Sequence, residues 1–159
     1  MFLGGWVDLG VIRYISLLLF IGLAWGQSKM DINNLIDRGG VLYAPNKEKP
    51  FSGSVFDLYD NGQKKLNGRY RNGIKNGKWT GWNMDGGIDR TGSYKNGLMN
   101  GLWQFYYSNG NLKGKGLYKE GNETGRRYEG ILLHGQHGKW TYWDENGQKK
   151  LEKKLRRWW

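Results

Sequence analysis

The chain has 159 residues, no cysteine, 27 glycines, 15% aromatic residues and a formal net charge of +11. The lack of cysteine excludes a disulfide framework and any thiolate metal site. The charge favours acidic partners, and the composition is typical of turns and aromatic strands rather than leucine-rich helices.

The first segment, residues 1–26, has the pattern of a secretory signal peptide. Residues 14–25 are mostly apolar, Arg13 precedes them, and the small-residue site Ala24-Trp25-Gly26 comes before Gln27. A membrane-spanning helix needs about 20 apolar residues, so this block is short for one. We therefore expect export to the periplasm, the cell surface or the medium. The alternative is an uncleaved inner-membrane anchor, because Asp8 makes the start less basic than usual.

Residues 27–50 are a predicted lead-in to the rest of the chain. Residues 31–38 can hold one short helical turn, Gly39-Gly40 ends it, and residues 41–43 are typical of a first strand. A polar connection over residues 46–50 follows.

Residues 51–155 are predicted to be tandem hairpins, because glycines recur with a period of 24 residues. Each unit holds two runs of strand length, separated by Asn-Gly or Gly-Gly turns of the kind that antiparallel hairpins use. Such turns need positive φ, which glycine and asparagine tolerate. The two clearest glycine series are Gly53, Gly77, Gly101 and Gly125, and Gly68, Gly92 and Gly116.

The unit near residues 125–130 departs from this period. Gly130 follows Gly125 by five residues where the other units have fifteen, which predicts a shortened hairpin. Residues 132–140 then restore the register, and residues 144–151 nearly repeat residues 60–66.

The repeated pattern Tyr-x-Asn-Gly-x-x-x-Gly-x-Trp-x-x-Tyr-x-x-Asn-Gly resembles the MORN repeat variant of bacterial exported repeat proteins and of proteins catalogued as YwqK-family antitoxins. The resemblance covers about residues 41–155. It implies an all-β fold, in which a row of hairpins forms one elongated, twisted antiparallel sheet, and it implies no catalytic residues.

Aromatic side chains are the predicted binding residues. Because side chains alternate along a strand, one set should share a face with Phe105 and Tyr142, while a second set should point to the other face. Rings of this kind either hold a thin sheet together or form an exposed platform for sugars, a peptide or lipid headgroups. The first set is Trp79, Trp103 and Trp140, and the second is Trp82, Tyr106 and Trp143.

The C-terminal residues 151–159 allow two interpretations. Their apolar residues have helical spacing, which would make a basic amphipathic helix. The repeat register instead places Leu155 in a last strand and leaves residues 156–159 as a tail, which is the interpretation we favour. The tail residues expected to contact a partner are Arg156, Arg157, Trp158 and Trp159.

No pattern in the sequence predicts catalysis, a cofactor or a metal site. His134 and His137 have metal-ligand spacing, but they replace Asn96 and Asn100 of an earlier unit, at positions interpreted as turns, and no third ligand is near. Neither a phosphate-binding loop nor a nucleophile motif is present in the sequence.

These patterns predict a non-enzymatic, exported repeat protein that acts as a binding or scaffold module in the cell envelope. The expected partner is an envelope protein, contacted through an extended aromatic and basic surface. The alternatives are binding to an anionic membrane or glycan surface, and an antitoxin-like partnership with a toxin. We expect no small-molecule substrate, and export argues against nucleic acid.

Overall fold

The computed structural model describes residues 29–155. The predicted signal segment and the tail of residues 156–159 lie outside the described residues, so the proposals that rest on them stay predictions. In residues 29–155 no helix has the length and apolar character to cross a membrane.

Short strands and a single 3₁₀ turn make up the described chain. The strands before the repeats are β1 (Met30–Asp31), β2 (Ile36–Asp37) and β3 (Leu42–Tyr43), and the 3₁₀ turn is Ile32–Asn34. The next strands are β4 (Gly53–Leu58), β5 (Lys64–Arg71), β6 (Ile74–Lys75), β7 (Gly77–Trp82), β8 (Ile88–Lys95), β9 (Leu98–Tyr106) and β10 (Leu112–Gly121). The last are β11 (Arg127–Tyr128), β12 (Ile131–Leu132), β13 (Gln136–Trp143) and β14 (Lys149–Leu155).

One large sheet runs through the molecule in the order β1-β4-β5-β7-β8-β9-β10-β13-β14, with β6 beside β5. From β4 onward every pairing is antiparallel, which confirms the predicted row of hairpins. The exception is β1, which pairs with β4 in parallel, so the sheet is mixed. Leu155 lies in β14, as the repeat register predicts.

The turns follow the predicted chemistry. Asn96 and Gly97 both have positive φ, of 51° and 81°, and join β8 to β9. At the opposite ends of the strands, four hairpin turns share one geometry. In each of them the backbone N–H of the first residue donates to the backbone carbonyl of the residue four positions later. These turns cover residues 59–63, 83–87, 107–111 and 144–148.

The shortened unit does form a hairpin, β11–β12, but this hairpin leaves the large sheet. β10 pairs directly with β13, and the hairpin folds over the sheet so that Ile131 and Leu132 are buried against it. Four lead-in residues, Met30, Ile32, Leu35 and Leu42, cover the other end of the same face together with Phe51. We call this covered face the inner face and the opposite one, which carries Leu102 and Leu117, the outer face.

Candidate functional site

The rings of the inner face form a continuous ladder that crosses the sheet. Successive ring centroids lie 5.0 to 6.2 Å apart, with interplanar angles of 76° to 87°, the edge-to-face arrangement that aromatic pairs prefer. All members are buried. In order, they are Tyr70, Trp79, Tyr94, Trp103, Tyr118 and Trp140.

The ladder corrects part of the predicted binding surface. Trp79, Trp103 and Trp140 are 6%, 1% and 0% exposed, so they are core residues and not an exposed platform. Their indole N–H groups are also occupied, because each donates to a backbone carbonyl of Arg69, Ser93 or Leu117, at 3.3, 3.1 and 2.9 Å respectively. The physical reason is that thin sheets gain most of their packing energy from large rings on one covered face.

The second set of predicted rings is half-buried and lies where strands meet the turns. The Trp82 carbonyl accepts from the Tyr59 hydroxyl at 2.8 Å, and the Trp143 carbonyl accepts from the Tyr107 hydroxyl at 3.0 Å. Trp82 and Trp143 are separated by β8, β9 and β10 in the sheet. They do not form one platform with each other, and Tyr106, which follows the inner-face residue Phe105 in β9, only borders a groove on the inner face.

This inner-face groove lies between the middle of the sheet and the β11–β12 hairpin and has a volume of about 360 Å³. It exists because the lead-in and the hairpin cover the two ends of the inner face and leave the middle open. Its lining consists of Asp89, Arg90, Tyr94, Met99, Trp103, Phe105, Tyr106, Lys113, Glu123, Arg127, Glu129, Gly130, Ile131 and Leu132.

A repeated β-bulge supplies two of the charged groups in the groove. In each of the four hairpins with the shared turn geometry, the second strand has one extra residue, the second residue after the turn, which has no partner across the ladder. The extra residues are Lys65, Asp89, Lys113 and Lys150. Lys65 pairs with the buried carboxylate of Asp57 at 2.9 Å, and Lys150 pairs with Glu129 at 3.1 Å.

Lys113 differs from the two other bulge lysines. Among residues 29–155 no carboxylate lies within ion-pair distance of its ammonium group, which instead lies 4.9 Å from the centroid of the Tyr107 ring. Arg127 is also without an acidic partner in this part of the chain, since its guanidinium donates only to the carbonyls of Gly130 and Glu123, at 3.1 and 3.4 Å.

Glu123 closes one side of the groove. Its carboxylate accepts from the Tyr94 hydroxyl at 2.5 Å and from the Lys75 ammonium at 2.6 Å, which ties the segment after β10 to β6 and β8. Burial by itself would raise the pKa of Glu123, but the hydrogen bonds from Lys75 and Tyr94 outweigh it and hold that pKa below its usual value. Burial and the hydrogen bond to Glu123 raise the pKa of Tyr94, so its hydroxyl stays a donor.

The described residues contain no group of three or more metal-ligating side chains. His134 lies in a turn, where its Nδ1 accepts from the Asn122 N–H at 3.3 Å. His137 lies in β13 and Asn100 in β9, so the second histidine replaces a strand residue rather than a turn residue.

The repeat in the sequence marks the positions of the bulge residues but not their role in a groove. Lys65, Asp89 and Lys113 follow the 24-residue period like every equivalent position of the repeat. Arg127 and Glu129 have no such equivalent positions, because they belong to the hairpin that departs from the period.

Among curated proteins and among solved structures, the comparisons found no match to this chain. The family described as MORN repeat variant matches two segments, residues 99–120 and residues 136–154. These segments cover most of the β9–β10 hairpin and of the β13–β14 hairpin, so the two best-matching units are the ones that flank the inserted β11–β12 hairpin.

Proposed function

We propose that this chain is an exported, non-enzymatic binding module that holds a partner in the cell envelope. The observation that carries the proposal is the inner-face groove, which combines half-buried rings with charged side chains on a rigid floor. Pockets of about 300 Å³ or more that mix apolar rings with a few polar groups are typical of binding sites. The buried ring ladder supplies the rigidity, because its members are buried and each ring packs edge-to-face against the next.

The repeat architecture supports the same proposal. MORN repeats are commonly binding or scaffold modules. Tandem units hold side chains at a constant spacing along a surface, so a partner can be contacted at several points without any unit rearranging. The partner we favour is an envelope component that reaches the groove from the open middle of the inner face.

A second candidate function, binding to an anionic membrane surface, is favoured by strand β14. This edge strand has the sequence KKLEKKL, with four lysines and one glutamate, and Glu152 is already paired with Lys139 at 3.0 Å and with Lys149 at 3.2 Å. Lysines on a sheet edge also prevent edge-to-edge aggregation, so charge alone does not require a lipid partner. An antitoxin-like role rests on the family resemblance only.

The experiment that tests the proposed function is site-specific photo-crosslinking with the full chain. A benzophenone amino acid replaces Phe105, which lines the groove on the inner face. In the matched control it replaces Leu102, an exposed residue of the same strand β9 on the outer face. Irradiation in the presence of fractionated envelope components is expected to give a discrete product only from position 105.

Equal labelling from both positions, or labelling from position 102 alone, would place binding elsewhere and reject the groove. The membrane alternative is tested in parallel by sedimentation with phosphatidylglycerol vesicles. If the lysines of β14 bind the lipid, cosedimentation of the protein should be lost above about 0.5 M salt. N-terminal sequencing of the protein from cells tests export, with a start at Gln27 expected.

A further inference from the structure

We infer that the inner-face groove binds an acidic sugar, that is, a pyranose ring carrying a carboxylate, as in a uronic acid. The inference rests on the proposed binding function and specifies the ligand of that same groove. Three features carry it: the uneven pairing of charges in the groove, its mixture of rings with hydrogen-bonding groups, and the pairing on both sides of the sheet strands that form its floor.

The groove is lined by three acidic and three basic side chains, but they do not all pair with one another. Two of its carboxylates are paired with cations from outside its lining, because Glu123 pairs with Lys75 and Glu129 pairs with Lys150. The third, Asp89, is 3.7 Å from Arg90, the longest ion pair among residues 29–155. Lys113 and Arg127 therefore line the groove without an acidic partner in the described chain, which favours a ligand with an anionic group.

The rest of the lining suits a hydroxyl-rich ring. Phe105 is half-buried on the inner face and stacks on Trp103, with ring centroids 5.9 Å apart and an interplanar angle of 23°, so its position is fixed by the ladder. Arg90 offers donors and Asp89 offers acceptors at the same groove. Sugar hydroxyls both donate and accept, and the C–H faces of a pyranose pack on aromatic rings, so this mixture satisfies both sides of the ligand.

An extended peptide fits the groove less well. Peptides that bind along sheets gain affinity from main-chain hydrogen bonds to an exposed strand edge. The sheet strands beneath the groove are β8, β9 and β10, and each is paired on both sides. Within the described chain, the floor of the groove therefore offers side chains only, and a volume of about 360 Å³ is near the lower limit for small-molecule pockets.

The test uses isothermal titration calorimetry of the full chain with three probes. Cellobiuronic acid carries the proposed carboxylate, cellobiose is its neutral counterpart, and hexaglutamate represents an acidic peptide. We expect cellobiuronic acid to bind and cellobiose to bind at least about tenfold more weakly, because one charge-assisted contact is lost. Equal affinity for the two disaccharides, or tighter binding of hexaglutamate, would overturn the inference.

Two variants locate the site. Lys113→Gln removes a cation from the groove, whereas Lys115→Gln removes an exposed cation two residues away on the outer face of the same strand. Affinity for cellobiuronic acid should fall about tenfold in the first and change less than about twofold in the second. Equal losses would show a non-specific charge effect and reject the site.

Failure of this inference can be told apart from failure of the proposed function. If no disaccharide binds while crosslinking at position 105 still gives a discrete product, the groove has a partner but not an acidic sugar. If the sugar binds and crosslinking fails, the ligand is a small saccharide without a larger envelope partner. Matching thermal unfolding of the two lysine variants confirms that neither change acts through folding.

Discussion

The indole of Trp103 lies flat against the backbone of Gly92, so that a Cβ atom added at Gly92 would be 2.1 Å from Cδ2 of the ring. The same relationship joins Gly68 to Trp79, also at 2.1 Å, and Gly116 to Trp140, at 2.2 Å. The glycines of the second series therefore do not form turns. Each one leaves the space that the tryptophan ring of the next strand in the large sheet occupies.

Gly92→Ala is expected to destabilise the fold by about 3 kcal/mol, because the added methyl group would have to displace a buried indole. The control is Gly81→Ala in strand β7, where the nearest atom to an added Cβ is 3.4 Å away and belongs to the flexible side chain of Arg90. Urea unfolding monitored by tryptophan fluorescence measures both. Similar midpoints for the two variants would contradict the packing described for Gly92.

Trp103→Leu should cost about 3 kcal/mol of unfolding free energy, because it removes a buried ring in contact with Tyr94, Phe105 and Tyr118. Trp82→Leu, at a half-buried ring near a turn, should cost about 1 kcal/mol. Equilibrium denaturation of both variants is the measurement. A larger loss for Trp82 would mean that the ladder is not the core of the sheet.

Acid should open the side of the groove that Glu123 closes. Its pKa is held below the usual value in the folded chain, so its contribution is complete above about pH 4.3 and is lost as the pH falls through the folded pKa. The protection of the amides of residues 122–126, measured relative to their intrinsic exchange rate at each pH, should therefore fall below about pH 4.3.

Glu123→Gln supplies the control for this pH effect. The variant cannot titrate at this position, so amide protection in the segment after β10 should already be low at neutral pH and should change little with acid. If wild type and variant show the same acid dependence, the closure depends on a different carboxylate.

The buried Asp57 carboxylate ties the lead-in to the repeats. It accepts from the Asn33 side chain at 2.9 Å and pairs with Lys65, also at 2.9 Å. Burial would raise the pKa of Asp57, but these two partners outweigh it and lower that pKa. Asp57→Ala should cost about 1 to 3 kcal/mol, since Asn33 would lose a partner, and thermal unfolding measures the loss.

Asp60→Ala is the matched control for Asp57→Ala, because Asp60 is an exposed acid three residues later in the adjacent turn. It removes the same charge and should change stability by less than about 0.5 kcal/mol. An equal loss in both variants would attribute the effect to net charge and not to the Asn33 and Lys65 contacts.

The turn between β8 and β9 depends on Asn96 as well as on Gly97. Asn96 has φ of 51°, a region that β-branched residues avoid, so Asn96→Val should cost about 1 to 2 kcal/mol. Asn96→Gly should be nearly neutral, and Lys95→Val tests for general effects at an exposed neighbour. Thermal unfolding of the three variants is the measurement. If Asn96→Val were as stable as the unmodified protein, position 96 would not require a residue that tolerates positive φ.

Local rules in the sequence determined the hairpins and their turns. Turns such as Asn96-Gly97 need positive φ, and the residues that supply it are recognisable one by one, so the 24-residue period could be read as strand, turn and strand. The same period placed Leu155 in a last strand, as the structure has it. Alternation of side chains along a strand also placed Trp103 on the opposite face of the sheet from its two chain neighbours, but it did not predict which of the two faces would be covered.

Only the tertiary structure decided which rings are buried and where the groove lies. The β11–β12 hairpin leaves the sheet because β10 pairs directly with β13, and that pairing joins residues far apart in sequence. The hairpin then covers Tyr118 and Tyr142 and brings Arg127 to the groove that the bulge residue Lys113 also lines. Ion pairs such as Glu129 with Lys150 also cross between units, so no pattern within one repeat could have shown that Lys113 lacks an acidic partner in the described chain.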